Sequence, residues 1–290
     1  MSLDILNEDD LIERLINKGA YAFTRKHSTL HNIDTKKTHH NVVIILTGYI
    51  NIVNNFFNDF VPKIKGNITL VLVETDFVEL LHRYLNIPQI KAVYTWNCPV
   101  NHHKVFALPI GLNKDRQYKP INDFLNNNKD KSYQKSNDKI LLVNHNNDTN
   151  VLRPFIFDFA KENWDFADCI PYMTTGKRTI IKSKIEDKIL VVAPPANYYD
   201  MLSKYKFCFS PPGAGVDCHR TYECLLLGVV PVCICQNLPE EKALVGLPII
   251  WIDDYKNLTK EYLEKEVMNL ESNPSLYQIT NSFWVDKIIN

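Results

Sequence analysis

Between positions 210 and 223 the chain reads Ser210-Pro211-Pro212-Gly213-Ala214-Gly215-Val216-Asp217-Cys218-His219-Arg220-Thr221-Tyr222-Glu223. This stretch holds the residue types that anion chemistry needs. Gly213 and Gly215 offer positive backbone φ and close approach to a ligand. Asp217 is a suitable N-cap for a helix from Cys218 to Leu227, and Gly228 is a suitable stop. At about 100° per residue, His219, Arg220 and Glu223 share one arc of that helix. Free N–H groups at a helix start attract anions, and a guanidinium beside them suits a diphosphate. Glu223, one turn later, is placed to accept from ribose hydroxyls. The competing reading is an i,i+3 ion pair of Arg220 with Glu223 on a helix surface.

The elements around this stretch are strand, loop, helix, strand. Lys206 to Ser210 alternates as a short buried strand. Pro211 and Pro212 end it. Val229 to Cys235 is a β-branched run that re-enters a sheet. The segment Ser210 to Glu223, followed by Leu225-Leu226-Leu227-Gly228-Val229-Val230-Pro231-Val232, resembles the donor-binding core of exostosin-like glycosyltransferases, family 47 and its relatives. The resemblance implies an α/β protein of GT-B fold, with two Rossmann-like domains facing each other across a cleft. It also implies inverting transfer of a sugar from a UDP-sugar to a glycan or other hydroxyl acceptor, without a metal or other cofactor. Donor-binding residues would be Arg153, Ser210, Gly213, Gly215, Asp217, His219, Arg220 and Glu223. Arg220, with Arg153 in support, would stabilise the departing diphosphate.

The rest of the chain supplies the frame. Val42 to Thr47 and Ile68 to Val73 are continuous apolar runs, as interior parallel strands require. The second delivers Glu74, Thr75 and Asp76 to a strand's carboxyl end, where α/β proteins place ligands. Asp76 is the candidate base on the acceptor side, since the related family has an Asp in a similar place. Asp76-Phe77-Val78-Glu79 also reads as a capping box. Strands at Ala92 to Thr95 and Val105 to Leu108 follow, with Asn97 and His102 between them as acceptor-side candidates. The expected organisation is an acceptor-side domain over 1–114, a linker over 115–138, a nucleotide-sugar-binding domain over 139–275 and a terminal helix over 276–290 near the hinge. The linker expectation rests on the low hydrophobicity and Asn/Lys richness of Asp115 to Lys139.

Composition sets exclusions. The 290 residues carry 33 basic and 33 acidic side chains, which argues against a nucleic-acid partner. Seven cysteines, mostly in apolar runs, suit reduced thiols in a cytoplasmic compartment. Cys233-Ile234-Cys235 lacks the Cys-x-x-Cys spacing of a redox or zinc pair. His39-His40 has no third ligand at metal spacing. No signal peptide or membrane span is expected, although eukaryotic exostosin relatives usually carry an anchor. Heavy use of Asn, Ile and Lys fits an AT-rich genome, as in large DNA viruses or AT-rich microbes. Two alternatives to the transferase stay open: a non-catalytic carbohydrate- or nucleotide-binding protein on the same scaffold, and another Rossmann-type enzyme. The missing Gly-x-Gly-x-x-Gly fingerprint after Val42 to Thr47 disfavours the second.

Overall fold

The computed structural model describes residues 4–75, 82–97, 100–129, 134–171, 180–182, 189–191, 198–235, 243–270 and 275–290. The protein is α/β, with two parallel five-stranded sheets.

The first sheet runs β1 (Tyr21–Phe23), β2 (Thr38–Thr47), β3 (Lys65–Val73), β4 (Ile90–Thr95) and β5 (Val105–Ala107) in spatial as well as chain order. The apolar runs explain why β2 and β3 lie inside it. Val42, Ile44 and Leu46 enter one core with Ile68, Leu70 and Leu72; Val43 and Ile45 enter the opposite core with Val71 and Val73. A strand buried on both faces has no polar alternation to display. The first core is closed by α2 (Ile50–Asn55) and the π-helical turn Phe56–Phe60 that continues it. The second is closed by α1 (Glu8–Asn17) and the carboxyl-terminal helix Asn281–Ile289, whose Trp284 is almost wholly buried. The last helix of the chain therefore packs on the first sheet. α3 (His82–Leu85) lies between β3 and β4.

The first part of the segment read as a linker is helical. A π-helical turn, Lys114–Tyr118, leads into α4 (Lys119–Asn127). Ile121 is buried in the second unit's core, with Phe124 and Leu125 packed against it. Three apolar residues at helical spacing anchor the helix despite its polar composition.

The second sheet has the order β12 (Ile250–Ile252), β11 (Val230–Ile234), β10 (Phe207–Phe209), β6 (Leu141–Val143), β7 (Ala167–Cys169). A separate antiparallel pair joins β8 (Ile180–Lys182) to β9 (Ile189–Val191). Helices α5 (Leu152–Asn163), α6 (Tyr198–Leu202), α7 (His219–Leu226) and α8 (Lys260–Met268) belong to this unit. The chain builds outward from β6 to β7, then resumes on the other side of β6 with β10. That reversal makes a crevice at the carboxyl ends of β6 and β10, the usual ligand position in such sheets.

The connection between the units is held from both sides. Ile110 N–H donates to Asp217 of the second unit at 2.9 Å, and Leu112 N–H donates to the Leu6 carbonyl at 2.9 Å. Between them Gly111 has φ +59, and a Cβ there would overlap the Leu6 carbonyl. Among the described residues, no helix is long and apolar enough to cross a membrane.

Candidate functional site

The loop from Ser210 to Cys218 leaves the carboxyl end of β10 and opens α7. Its shape is set by Arg153, in the first turn of α5 on the far side of the crevice. Arg153 Nε donates to the Pro212 carbonyl and Nη2 to the Pro211 carbonyl, each at 2.8 Å. Nη1 reaches the Asn146 carbonyl and Thr149 Oγ1. Asn150 adds a bond to the Gly213 carbonyl at 2.8 Å. A buried guanidinium saturated by main-chain carbonyls is a brace. Arg153 was expected to help hold a diphosphate; in the structure its Nε, Nη1 and Nη2 groups instead donate to the loop and to the turn before α5.

Neither Gly213 nor Gly215 has positive φ, contrary to expectation. Their need for glycine comes from neighbours. A Cβ on Gly213 would stand 3.1 Å from Arg153 Nη2, and one on Gly215 would overlap the Asn97 carboxamide. Asn97, two residues beyond β4, is buried with φ +41, and its Oδ1 accepts from Asp217 N–H at 2.9 Å. The first and second units therefore touch at Asn97 and Gly215, where a deep cleft was expected.

Asp217 is not the helix cap. Cys218 occupies that position, with no side-chain capping bond. The Asp217 carboxylate is buried and accepts from Ile110 N–H and from Tyr222 Oη, at 2.9 and 2.5 Å. Burial pushes its pKa up to about 6, with these two bonds opposing the rise. Ser210 also turns inward, its Oγ 3.0 Å from Thr221 Oγ1. His219 Nδ1 lies 2.7 Å from the Gly111 carbonyl, so it donates across to the inter-unit connection.

Arg220 and Glu223 do not form the ion pair that their spacing allowed. Glu223 is buried, and its two carboxylate oxygens accept from Tyr198 Oη at 3.1 Å and Tyr199 Oη at 3.2 Å. Burial raises the Glu223 pKa; Arg220 and the two tyrosines oppose that rise. With both oxygens engaged by protein, Glu223 does not present itself to a ribose. Arg220 is half-buried. Its Nη1 donates to Tyr198 Oη at 3.1 Å, and its guanidinium lies 5.7 Å from the Tyr198 ring centre. Cys208 Sγ is a longer contact at 3.9 Å. Burial opposes the charge, but Tyr198, Cys208 and Glu223 outweigh it, so Arg220 stays a cation. Among the described residues no carboxylate reaches ion-pair distance, and Nε and Nη2 make no hydrogen bond. These are the donors an anion would use.

Several residues were not singled out from sequence. Tyr198 and Tyr199 are the partners of Glu223. At the end of β6, His145 Nε2 donates to the Arg153 carbonyl at 2.9 Å, while its buried Nδ1 has no partner. Burial pushes its pKa down to about 3, so the ring is neutral. Beside it Asn144 donates to the Ile170 carbonyl and leaves Oδ1 unpaired. Their position at the topological reversal was the available signal; the polar turn around them concealed it.

On the first unit, Asp76 lies outside the described residues. The neighbouring Glu74 has φ +62, a conformation uncommon for a residue with a side chain. Its Oε2 accepts from Thr47 Oγ1 at 2.6 Å and Arg25 N–H at 2.8 Å. Arg25 also donates to the Glu74 carbonyl and to Tyr49 Oη. Glu8, at the start of α1, is pushed up to about 7 by burial and by the nearby Glu74 and Asp9 charges. Leu72 pairs with Thr95, so Glu74 and Asn97 both lie just beyond the carboxyl ends of adjacent strands. His102 is elsewhere, in the turn before β5, its ring 4.3 Å from His103 and its Nδ1 accepting from Lys104 N–H. It makes no bond to the 213–223 segment.

Among the described residues no group of three or more His, Cys, Asp and Glu is placed to hold a metal ion. No family model matches the chain, and no curated protein matches it.

Proposed function

We propose that this protein is a GT-B-type glycosyltransferase that transfers a sugar, with inversion, from a UDP-sugar to a hydroxyl acceptor. The observation that carries the reading is Arg220. It is a half-buried guanidinium beside a glycine loop and a helix start; among the described residues, its Nε and Nη2 make no hydrogen bond and no carboxylate is in ion-pair contact. Two parallel sheets with their carboxyl edges in contact support it.

The acceptor hydroxyl would attack the anomeric carbon, its proton passing to a carboxylate of the first unit. The bond to the diphosphate breaks with its electron pair leaving on oxygen. Arg220 faces that growing charge. Tyr198 and Glu223 hold Arg220 in orientation, and Arg153 holds the loop. The proton acceptor is drawn from Asp76, Glu74 and Glu8.

Calorimetry of UDP and UDP-sugars, with and without chelator, tests the reading. Saturable binding that survives chelator and is lost in Arg220→Ala supports it; no binding by the wild type refutes it. The contact of Asn97 with Gly215 favours one second reading, a nucleotide-sugar-binding protein without transfer. Tight UDP binding with no turnover across an acceptor panel would select it.

A further inference from the structure

A cavity of about 270 Å³ lies in the first unit, between the turn that follows β1 and the α2 helix. It is separate from the loop at 210–223 and shares no residue with it. Its volume falls just under the ~300–1,000 Å³ of ligand pockets, which suits one ring and is too small for a nucleotide sugar. From the geometry we infer that this cavity binds a single pyranose ring.

The walls and the mouth differ in chemistry. Phe23, Phe56 and Phe60 supply aromatic surface. Phe56 and Phe60 lie one π-helical turn apart, their rings stacked at 17° from parallel and 6.3 Å between centres. Phe23 is 41% exposed, an aromatic ring left in water at the opening. Ser28, Asn55 and Asp59 stand around it, exposed, and their side chains make no hydrogen bond among the described residues. Neighbouring Asn54 is tied to Tyr84 Oη at 2.5 Å, which steadies the helix that carries the polar pair.

A pyranose has a C–H face and a rim of hydroxyls. The aromatic wall takes the first. A carboxylate accepts from hydroxyls, and an amide and a serine both donate and accept, which suits the second. A hydrocarbon of equal size would strip water from Asp59 and Asn55 without replacing it. An organic cation would satisfy Asp59 but not the amide or the hydroxyl. Phe23, which lines the cavity, pairs with Leu46 one residue before the end of β2. The further role of the ring as part of the acceptor glycan rests on the transferase reading; binding itself does not.

Glucose, galactose, mannose, xylose and N-acetylglucosamine, titrated by saturation-transfer NMR and calorimetry, test the inference. At least one should bind in the millimolar range. Asp59→Asn and Asn55→Ala, both at exposed positions where folding is retained, should each weaken it roughly tenfold. Phe60→Ala should weaken it further, with circular dichroism checking the fold. Arg220→Ala should leave it unchanged. No binding by any sugar overturns the inference, as does an unchanged Kd in both polar variants. Binding of tetramethylammonium or phenol in place of every sugar also overturns it. Loss of sugar binding in Arg220→Ala would move the ring to the nucleotide-sugar site; the inference then falls while the transferase reading stands. Pyranose binding that depends on Asp59, in a protein that binds no UDP, leaves the inference standing and removes the transferase.

Discussion

The Tyr198 hydroxyl donates to Glu223 Oε2 at 3.1 Å and, at the same distance, accepts from Arg220 Nη1. The tyrosine thus stands between a cation and a carboxylate that would otherwise be free to pair. It engages Nη1 of Arg220, while Nε and Nη2 make no hydrogen bond among the described residues. Tyr198→Phe should release Arg220 toward Glu223. UDP affinity should fall several-fold by calorimetry, and the protein should lose ~1–3 kcal/mol in urea unfolding because a buried carboxylate oxygen loses its partner. Unchanged UDP affinity would show that the tyrosine has no part in presenting Arg220.

Arg220→Ala should weaken UDP roughly ten- to a hundredfold, the loss of a charge-assisted bond worth ~1.5–3 kcal/mol. Arg220→Lys should not restore it, because an ammonium cannot keep the Tyr198 bond and bridge two phosphate oxygens together. Titration calorimetry on both variants separates shape from charge. Equal affinity for the lysine variant and the wild type would reduce the requirement to positive charge.

Asp217 gives a pH signature to folding. Its folded pKa, about 6, lies above the unfolded carboxylate value near ~3.9. The native state therefore holds the proton more tightly. The group's stabilising contribution is complete below about pH 4 and is lost as pH rises through 6, over a range of up to ~3 kcal/mol. Asp217→Asn should flatten that part of the stability profile in urea melts at a series of pH values. An identical slope in the variant would assign the pH dependence to other groups.

Glu8 should shape activity. With its pKa pushed up to about 7, it is half ionised near neutrality and can accept a proton only when deprotonated. If Glu8 takes the acceptor's proton, transfer should rise with pH through about 7, and Glu8→Gln should lower turnover with UDP affinity retained. A rise that persists in Glu8→Gln would leave the role to Glu74 or Asp76.

What the sequence revealed and what it hid have physical causes. Val42 to Leu46 and Ile68 to Val73 were legible as interior strands because burial on both faces leaves no polar alternation. α4 was hidden by its composition: Asn and Lys dominate it, and only Ile121, Phe124 and Leu125 anchor it. The importance of Gly213 and Gly215 was legible, but the reason lies in Arg153 and Asn97, 60 or more positions away in the chain. Glu223 could not be assigned from its helix alone, because spacing within one helix says nothing of two tyrosines from another.

The connection at Ile110 to Leu112 behaves as a riveted joint. Each of its two inner-facing amide protons is held by a partner from a different unit, one by Asp217 and one by Leu6, and His219 grips the carbonyl between them. Rotation of one unit against the other must break bonds on at least one side at once. Solvent deuterium should therefore reach the amides of Ile110 and Leu112 at the rate of that separation, slower than surface turns exchange. These two protons are a clock for inter-unit movement, readable without any substrate.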